Sequence, residues 1–212
     1  MIDLYTWTTP NGRKISIMLE ETTLPYKVIT VDLGKEEQQK PEFLAINPNN
    51  KIPAIVDHDA PGGPLPIFES GAILVHLAER TGRFLPAGDV AARARTMQWL
   101  MYQMSHVGPI IGQAGHFLNQ ASEKVPYAIQ RFVGESLRIV GVLDKGLEGN
   151  DYLAGDYSIA DMATYPWIAA AWGPFESMMA DEVQRFGNVK AWLGRVGARP
   201  AVQAGMAVPH VG

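Results

Sequence analysis

The patterning of the chain changes once, near residue 82, and that change limits its folds more than any other feature. Before it, short apolar runs alternate with helical periodicity across Gly- and Pro-bearing turns. After it, helical periodicity alone continues. Ile2-Asp3-Leu4-Tyr5 is short and alternating, which predicts a strand. Across residues 14–21, Ile15, Met18 and Leu19 recur at helical spacing, with Thr9 a suitable N-cap and Pro10 suited to the first helical position. Further strands are expected at residues 26–31, 54–57 and 65–68, with a short helix at 41–46. Residues 71–81 read as an apolar helix that opens at Glu69 or Ser70 and closes on Gly82. The order β-α-β-(α)-β-β-α suggests a small mixed sheet flanked by helices.

Residues 82–88 read as a linker, and helices are expected at about 91–117, 126–148, 159–172 and 189–196. Gly108-Pro109 should kink the first of these or begin a new segment. The expected organisation is therefore two domains, residues 1–81 and an all-helical 89–212. Ser158-Ile159-Ala160-Asp161 has the spacing of a capping box, with Asp in place of the usual Glu. Ser158 would bond the Asp161 amide and Asp161 would bond back. Capping explains both residues without a chemical role.

Composition removes several function classes. The 212 residues contain no cysteine, so no disulfide and no thiolate metal site is possible, and thiol chemistry needs a ligand's thiol. The five histidines show no metal spacing, and no metal is expected. Net charge is -4, without a Lys/Arg-rich cluster, which argues against a nucleic-acid partner. No apolar run reaches membrane-spanning length, and the opening MIDLYTWTTP lacks the pattern of a secretion signal. A cytoplasmic location is expected.

Three segments carry a family resemblance. Asn47-Pro48-Asn49-Asn50-Lys51-Ile52-Pro53-Ala54-Ile55-Val56 resembles the N-P-x-x-x-I/V-P-x-L/I segment of glutathione transferases. Phe68-Glu69-Ser70-Gly71-Ala72-Ile73 resembles their E-S-x-A-I segment, and the box at Asp161 resembles the one in their helical domain. Each motif is weak alone; in this order, over nearly the whole chain, they reinforce one another. Thr9-Pro10-Asn11-Gly12, Val31-Asp32-Leu33-Gly34-Lys35, the run from Pro48 to His58, Gly108 to Gln113 and Pro126 to Arg131 resemble the Nu class, which includes bacterial glutathione-dependent disulfide-bond oxidoreductases. The resemblance implies an α/β plus all-α architecture: a thioredoxin-like N-terminal domain followed by an all-helical glutathione transferase C-terminal domain.

It also implies a glutathione site. Glu69 and Ser70 would meet the γ-glutamyl end, Ser70 donating to its carboxylate at a helix N-terminus and Glu69 accepting from its ammonium. The alternative is a simple helix cap. A cis bond between Ile52 and Pro53 would turn the Ile52 backbone toward the cysteinyl unit, as an added strand pairs. Lys51 and Gln38 are candidates for the glycyl carboxylate and nearby backbone, with a solvated surface lysine as the alternative for Lys51. Thr9 and Asn11 are the candidate catalytic residues: both can donate to sulfur at the start of the first helix, where thiolate is favoured. Here too a plain cap is the alternative. Tyr5, on the strand itself, is a poor substitute. Arg131 matches a residue that reaches across a dimer in the Nu class; otherwise it is a surface charge. Trp7, Tyr102, Gln103, His106 and Trp167 are candidates for the acceptor side, although residues of this kind also form cores.

The implied activity is disulfide reduction with glutathione as cosubstrate, through a mixed disulfide and without a protein thiol. A conjugating transferase or peroxidase acting on hydrophobic electrophiles or organic hydroperoxides, and a non-catalytic glutathione-binding module, are the alternatives. A homodimer is implied by resemblance.

Overall fold

The computed structural model describes residues 1–210. The chain forms two compact units. One comprises residues 1–87 together with residues 197–210, and the other comprises residues 88–196. The expectation of a helical domain over 89–212 is corrected at its end. The last helix packs on the first unit because its small residues fit a buried helix there.

The first unit is built on a four-stranded sheet of order β2-β1-β3-β4. Strands β1 (Ile2–Thr6) and β2 (Tyr26–Thr30) are parallel and joined by helix α1 (Pro10–Thr22). Strands β3 (Ala54–Asp57) and β4 (Leu65–Phe68) follow, with β3 antiparallel to both β1 and β4. Between β2 and β3 lie two single-turn 3-10 helices, Leu33–Lys35 and Glu37–Gln39, and the short α2 (Pro41–Leu44). Helix α3 (Ser70–Thr81) ends on Gly82, whose φ of 66° suits a residue without Cβ. This is the thioredoxin-like arrangement expected of the N-terminal domain.

Helix α1 is nearly enclosed. Ile15, Ile17, Met18 and Leu19 are fully buried, and the helix meets α3 and the C-terminal helix α10 (Pro200–Met206). At α10, a Cβ on Gly205 would stand 2.5 Å from Ile17 Cα, closer than real Cβ contacts allow. The Gly205 carbonyl accepts from Ser16 Oγ at 2.6 Å, and Arg199 grips Glu21 through Nε and Nη2 at 2.6 and 3.0 Å. The C-terminal segment thus clamps the helix that starts at Thr9.

The second unit is helical: α4 (Val90–Tyr102), α5 (Gly108–Gly115), α6 (Pro126–Gly146), α7 (Ile159–Met178), α8 (Ala180–Val183) and all but the last residue of α9 (Gly187–Gly197). Gly108-Pro109 begins α5 directly after a π turn at Gln103–Val107, and a second π turn covers His116–Gln120. A π turn lengthens the local hydrogen-bond loop, which leaves room for a proline without an N–H. Helix α7 outruns the expected end at residue 172 and continues through Pro174, because Ala171 and Phe175 extend its buried face.

The capping box forms as anticipated. Ser158 caps α7 and Asp161 accepts from Ser158 N at 3.1 Å. Asp161 is fully buried and also accepts from Leu153 N at 3.0 Å and Trp192 Nε1 at 2.9 Å, bringing α9 and the preceding loop onto α7.

Candidate functional site

Strand register gathers most of the candidate residues. Tyr5 near the end of β1 pairs with Ala54 at the start of β3, and Ala54 pairs with Phe68 at the end of β4. Thr6 pairs with Thr30 at the end of β2. The segments bearing Thr9 and Asn11, Gln38, Lys51 to Pro53, and Glu69 with Ser70 therefore all leave or enter the sheet at one end. The arrangement brings four stretches of distant sequence to one rim.

At the start of α1, Thr9 has extended backbone and its Oγ1 accepts from Gly12 N at 3.2 Å. The cap and the proposed donor role are compatible, because a hydroxyl that accepts from inside keeps its own proton. Asn11 is half-buried in the first turn. Gly12 is required there: a Cβ would meet Thr6 Oγ1 at 2.2 Å and the Trp7 carbonyl at 2.7 Å. Tyr5 packs on Phe43 with ring centroids 6.1 Å apart. Burial and the nearby Asp3 raise its pKa, so it stays protonated rather than supplying a phenolate.

The Ile52–Pro53 bond is cis. Ile52 is buried in a cluster with Val31, Phe43 and Ala54, against which Tyr5 and Trp7 pack. The preceding loop is folded around Asn47, 2% exposed, whose side chain donates to the Lys51 carbonyl and accepts from Asn49 N at 2.9 Å. Asn47 was legible only as part of a motif; its structural work inside the loop carries no separate sequence signal. Lys51 is exposed. Gln38 lies in the second 3-10 turn with Oε1 buried and without a hydrogen-bond partner. A buried acceptor left unmatched is costly and suits a ligand's N–H.

At α3, Glu69 occupies the N-cap with φ 69° and ψ 112°, a left-handed conformation that disfavours a residue with Cβ. Its side chain makes no capping bond, and the first turn carries no acidic residue. First-turn amides of a helix lack intrahelical partners and attract an anion. Ser70, 4% exposed, is approached from inside by Lys14 Nζ at 3.2 Å. Lys14 was not a candidate from sequence, since a lone lysine in an amphipathic helix ordinarily faces solvent. Its separation of four from Met18 places both on one helix face, which was the available signal. Burial pushes the Lys14 ammonium down to about 7, against the opposing pull of Glu69.

The remaining candidates belong to the helical unit. Arg131 is exposed on α6, so the register does not bring it to the rim. Tyr102 stacks on His106 with centroids 4.9 Å apart and meets Trp99 edge-on at 5.7 Å. The Tyr102 hydroxyl is buried without a hydrogen-bond partner. Trp167 packs against Gly108 and Gly112, and Gln103 also adjoins Gly108. Trp7 belongs to the first unit. Among the described residues, no group of His, Asp and Glu can hold a metal ion, and no helix is long and apolar enough to cross a membrane.

Comparison with known proteins agrees with this architecture. Residues 1–79 match the N-terminal domain and residues 109–200 the C-terminal domain of glutathione S-transferase. The chain belongs to the glutathione S-transferase family. It is 50% identical to the disulfide-bond oxidoreductase YfcG of Escherichia coli over 204 residues, covering 95% of this chain and 92% of YfcG. Disulfide-bond oxidoreductase YghU of the same organism is 40% identical over 216 residues, covering 98% of this chain and 74% of YghU. Among solved structures, a glutathione transferase of Burkholderia graminis with two glutathione molecules bound per subunit superposes with TM-score 0.94 at 47% identity, covering 100% of this chain and 89% of that one. A glutathione transferase of Pseudomonas putida, with one glutathione disulfide bound per subunit, gives 0.93 at 44% identity, covering 98% and 91%.

Proposed function

We propose that this chain is a Nu-class glutathione-dependent disulfide-bond oxidoreductase of the cytoplasm. The observation that carries the reading is the register, which collects the anion-ready first turn of α3, the orphaned Gln38 acceptor and the capped start of α1 at one end of the sheet. Glutathione supplies the thiol, whose thiolate displaces one sulfur of a substrate disulfide. The protein has no sulfur of its own for this step, since it contains no cysteine. Ser70 and the amides of α3 hold the γ-glutamyl carboxylate, and Glu69 accepts from the ammonium beside it. The Ile52 backbone pairs with the cysteinyl unit, Gln38 accepts from the tripeptide backbone, and Lys51 meets the glycyl carboxylate. Thr9 and Asn11 donate to the sulfur, so the ionised form is favoured over the thiol.

Relatives named as disulfide-bond oxidoreductases support this activity over conjugation. A homodimer, with Arg131 reaching the neighbour's glutathione, is supported by apolar exposure on the edge strand at Leu65 (41%) and Phe68 (36%). Light scattering at micromolar concentration checks the dimer, and a monomer contradicts it. The activity is tested by comparing glutathione-dependent reduction of 2-hydroxyethyl disulfide with conjugation of a chloro-nitrobenzene. The disulfide is expected to turn over, and the Thr9→Ala, Asn11→Ala double variant to lose roughly a hundredfold or more in kcat/KM, the scale of losing a donor to a reacting anion. Brisk conjugation with no disulfide turnover rejects the reading.

A further inference from the structure

We propose that the helical unit holds a further small-molecule site, in a hollow between α7, α8 and α9, that takes a free α-amino acid with an aromatic side chain. The hollow lies wholly within residues 88–196 and uses none of the residues assigned to glutathione. Its volume is about 300 Å³, at the small end of the range for ligand sites, so it suits a small molecule. Its walls include Trp172 and Glu176 of α7, Val183 of α8, Gln184 and Phe186 in the turn that follows, and Lys190 of α9.

Both aromatic walls are held in place. Trp172 Nε1 donates to Glu176 Oε1 at 2.9 Å, one turn further along α7. Phe186 lies against α6, where a Cβ on Gly141 would stand 3.5 Å from its ring. Val183, 4% exposed, adds a buried apolar side chain between them in sequence. A flat ring set against Trp172 and Phe186 gains aromatic contacts beyond the area it buries. Opposite charges also stand side by side on the lining. Lys190 Nζ is 3.9 Å from the Glu176 oxygen that holds Trp172, and the two side chains are 72% and 47% exposed. An exposed pair at that distance contributes little to stability, so it opens at small cost. An α-amino acid carries an ammonium and a carboxylate on one carbon. The same ligand can therefore donate to Glu176 and accept from Lys190 while its side chain enters the hollow. A ligand with one charge leaves the other member of the pair unmatched. Arg185 is held by Glu182 at 3.2 Å, so Lys190 is the cation that the lining offers to the carboxylate.

The test titrates L-phenylalanine, phenethylamine and 3-phenylpropionate into the full chain, followed by calorimetry and by tryptophan fluorescence. L-Phenylalanine is expected to bind with a Kd of about 1 mM or tighter, the weak end for a ligand of its size. It should change the fluorescence of the parent and leave that of Trp172→Phe unchanged. The two singly charged analogues should bind roughly tenfold or more weakly, the scale of one hydrogen bond to a charged group. Glu176→Gln and Lys190→Met should each weaken L-phenylalanine by a similar factor while glutathione-dependent disulfide reduction keeps its parental rate. The inference is overturned by no uptake of L-phenylalanine at about 10 mM, well above the expected Kd. An analogue that binds as tightly, or a fluorescence change that survives in Trp172→Phe, overturns it equally. Disulfide reduction is read separately, so failure here leaves the glutathione reading standing.

Discussion

Two deeply buried ionisable side chains, Lys14 in the first unit and Asp161 in the second, are partnered differently. Asp161 faces inward entirely. It accepts from two backbone amides, the Ser158 hydroxyl and the Trp192 indole, so its surroundings close within the helical unit. Burial still raises its pKa despite those donors. Lys14 instead donates to Ser70, a side chain at the rim where ligand is proposed to bind. The buried acid ties together its own unit, whereas the buried lysine reaches the helix start that borders the rim.

The sharpest way to break this comparison is to remove Asp161. Asp161→Ala leaves Trp192 Nε1 and two buried amides without their acceptor, and is expected to destabilise the protein by about 3–5 kcal/mol. Chemical denaturation checks it. A loss under about 1 kcal/mol would show that Asp161 is no keystone of the helical unit.

Gly205→Ala tests the clamp on α1. Its Cβ would collide with the Ile17 backbone, and the expected cost is about 1–3 kcal/mol. An unchanged melting curve would mean that α10 is not needed to hold α1.

Lys14 has a signed pH dependence. Between about 7 and its ordinary 10.5, the unfolded chain binds a proton at Lys14 that the folded chain does not. Stability therefore gains from this group as pH rises through that window, with a slope approaching about 1.4 kcal/mol per pH unit. The difference in unfolding free energy between the parent and Lys14→Met should shift in the parent's favour from pH 7 to 10. A flat difference would show that Lys14 titrates normally.

The smallest effect is expected at Glu69. Glu69→Gly removes the Cβ from a φ of 69° and should stabilise the fold by about 1 kcal/mol while weakening glutathione binding. Destabilisation together with intact binding would reverse the assignment of that strain to the site.

Local chemistry explains what was legible in the sequence. The strands at 54–57 and 65–68 are short, β-rich and bounded by turn residues, and Thr9, Ser158 and Gly82 cap their helices by side-chain or backbone rules that act over a few residues. The packing of α10 on α1 was not legible, because Gly205 meets Ile17 across the whole length of the chain and a small residue near the C-terminus signals nothing by itself. The π turn beside Tyr102 and His106 has no local signature, since it arises where the helix register shifts ahead of Pro109. At the rim, motif residues could be named from sequence. The buried lysine behind Ser70 could not, because only packing against α3 turns that face of α1 inward.

Diffraction from crystals soaked in glutathione disulfide tests the central claim most directly. The account predicts a glutathionyl group at the shared end of the sheet, its γ-glutamyl carboxylate on Ser70 and its sulfur within hydrogen-bonding reach of Thr9 or Asn11. Density elsewhere, or a sulfur that approaches neither residue, would contradict it.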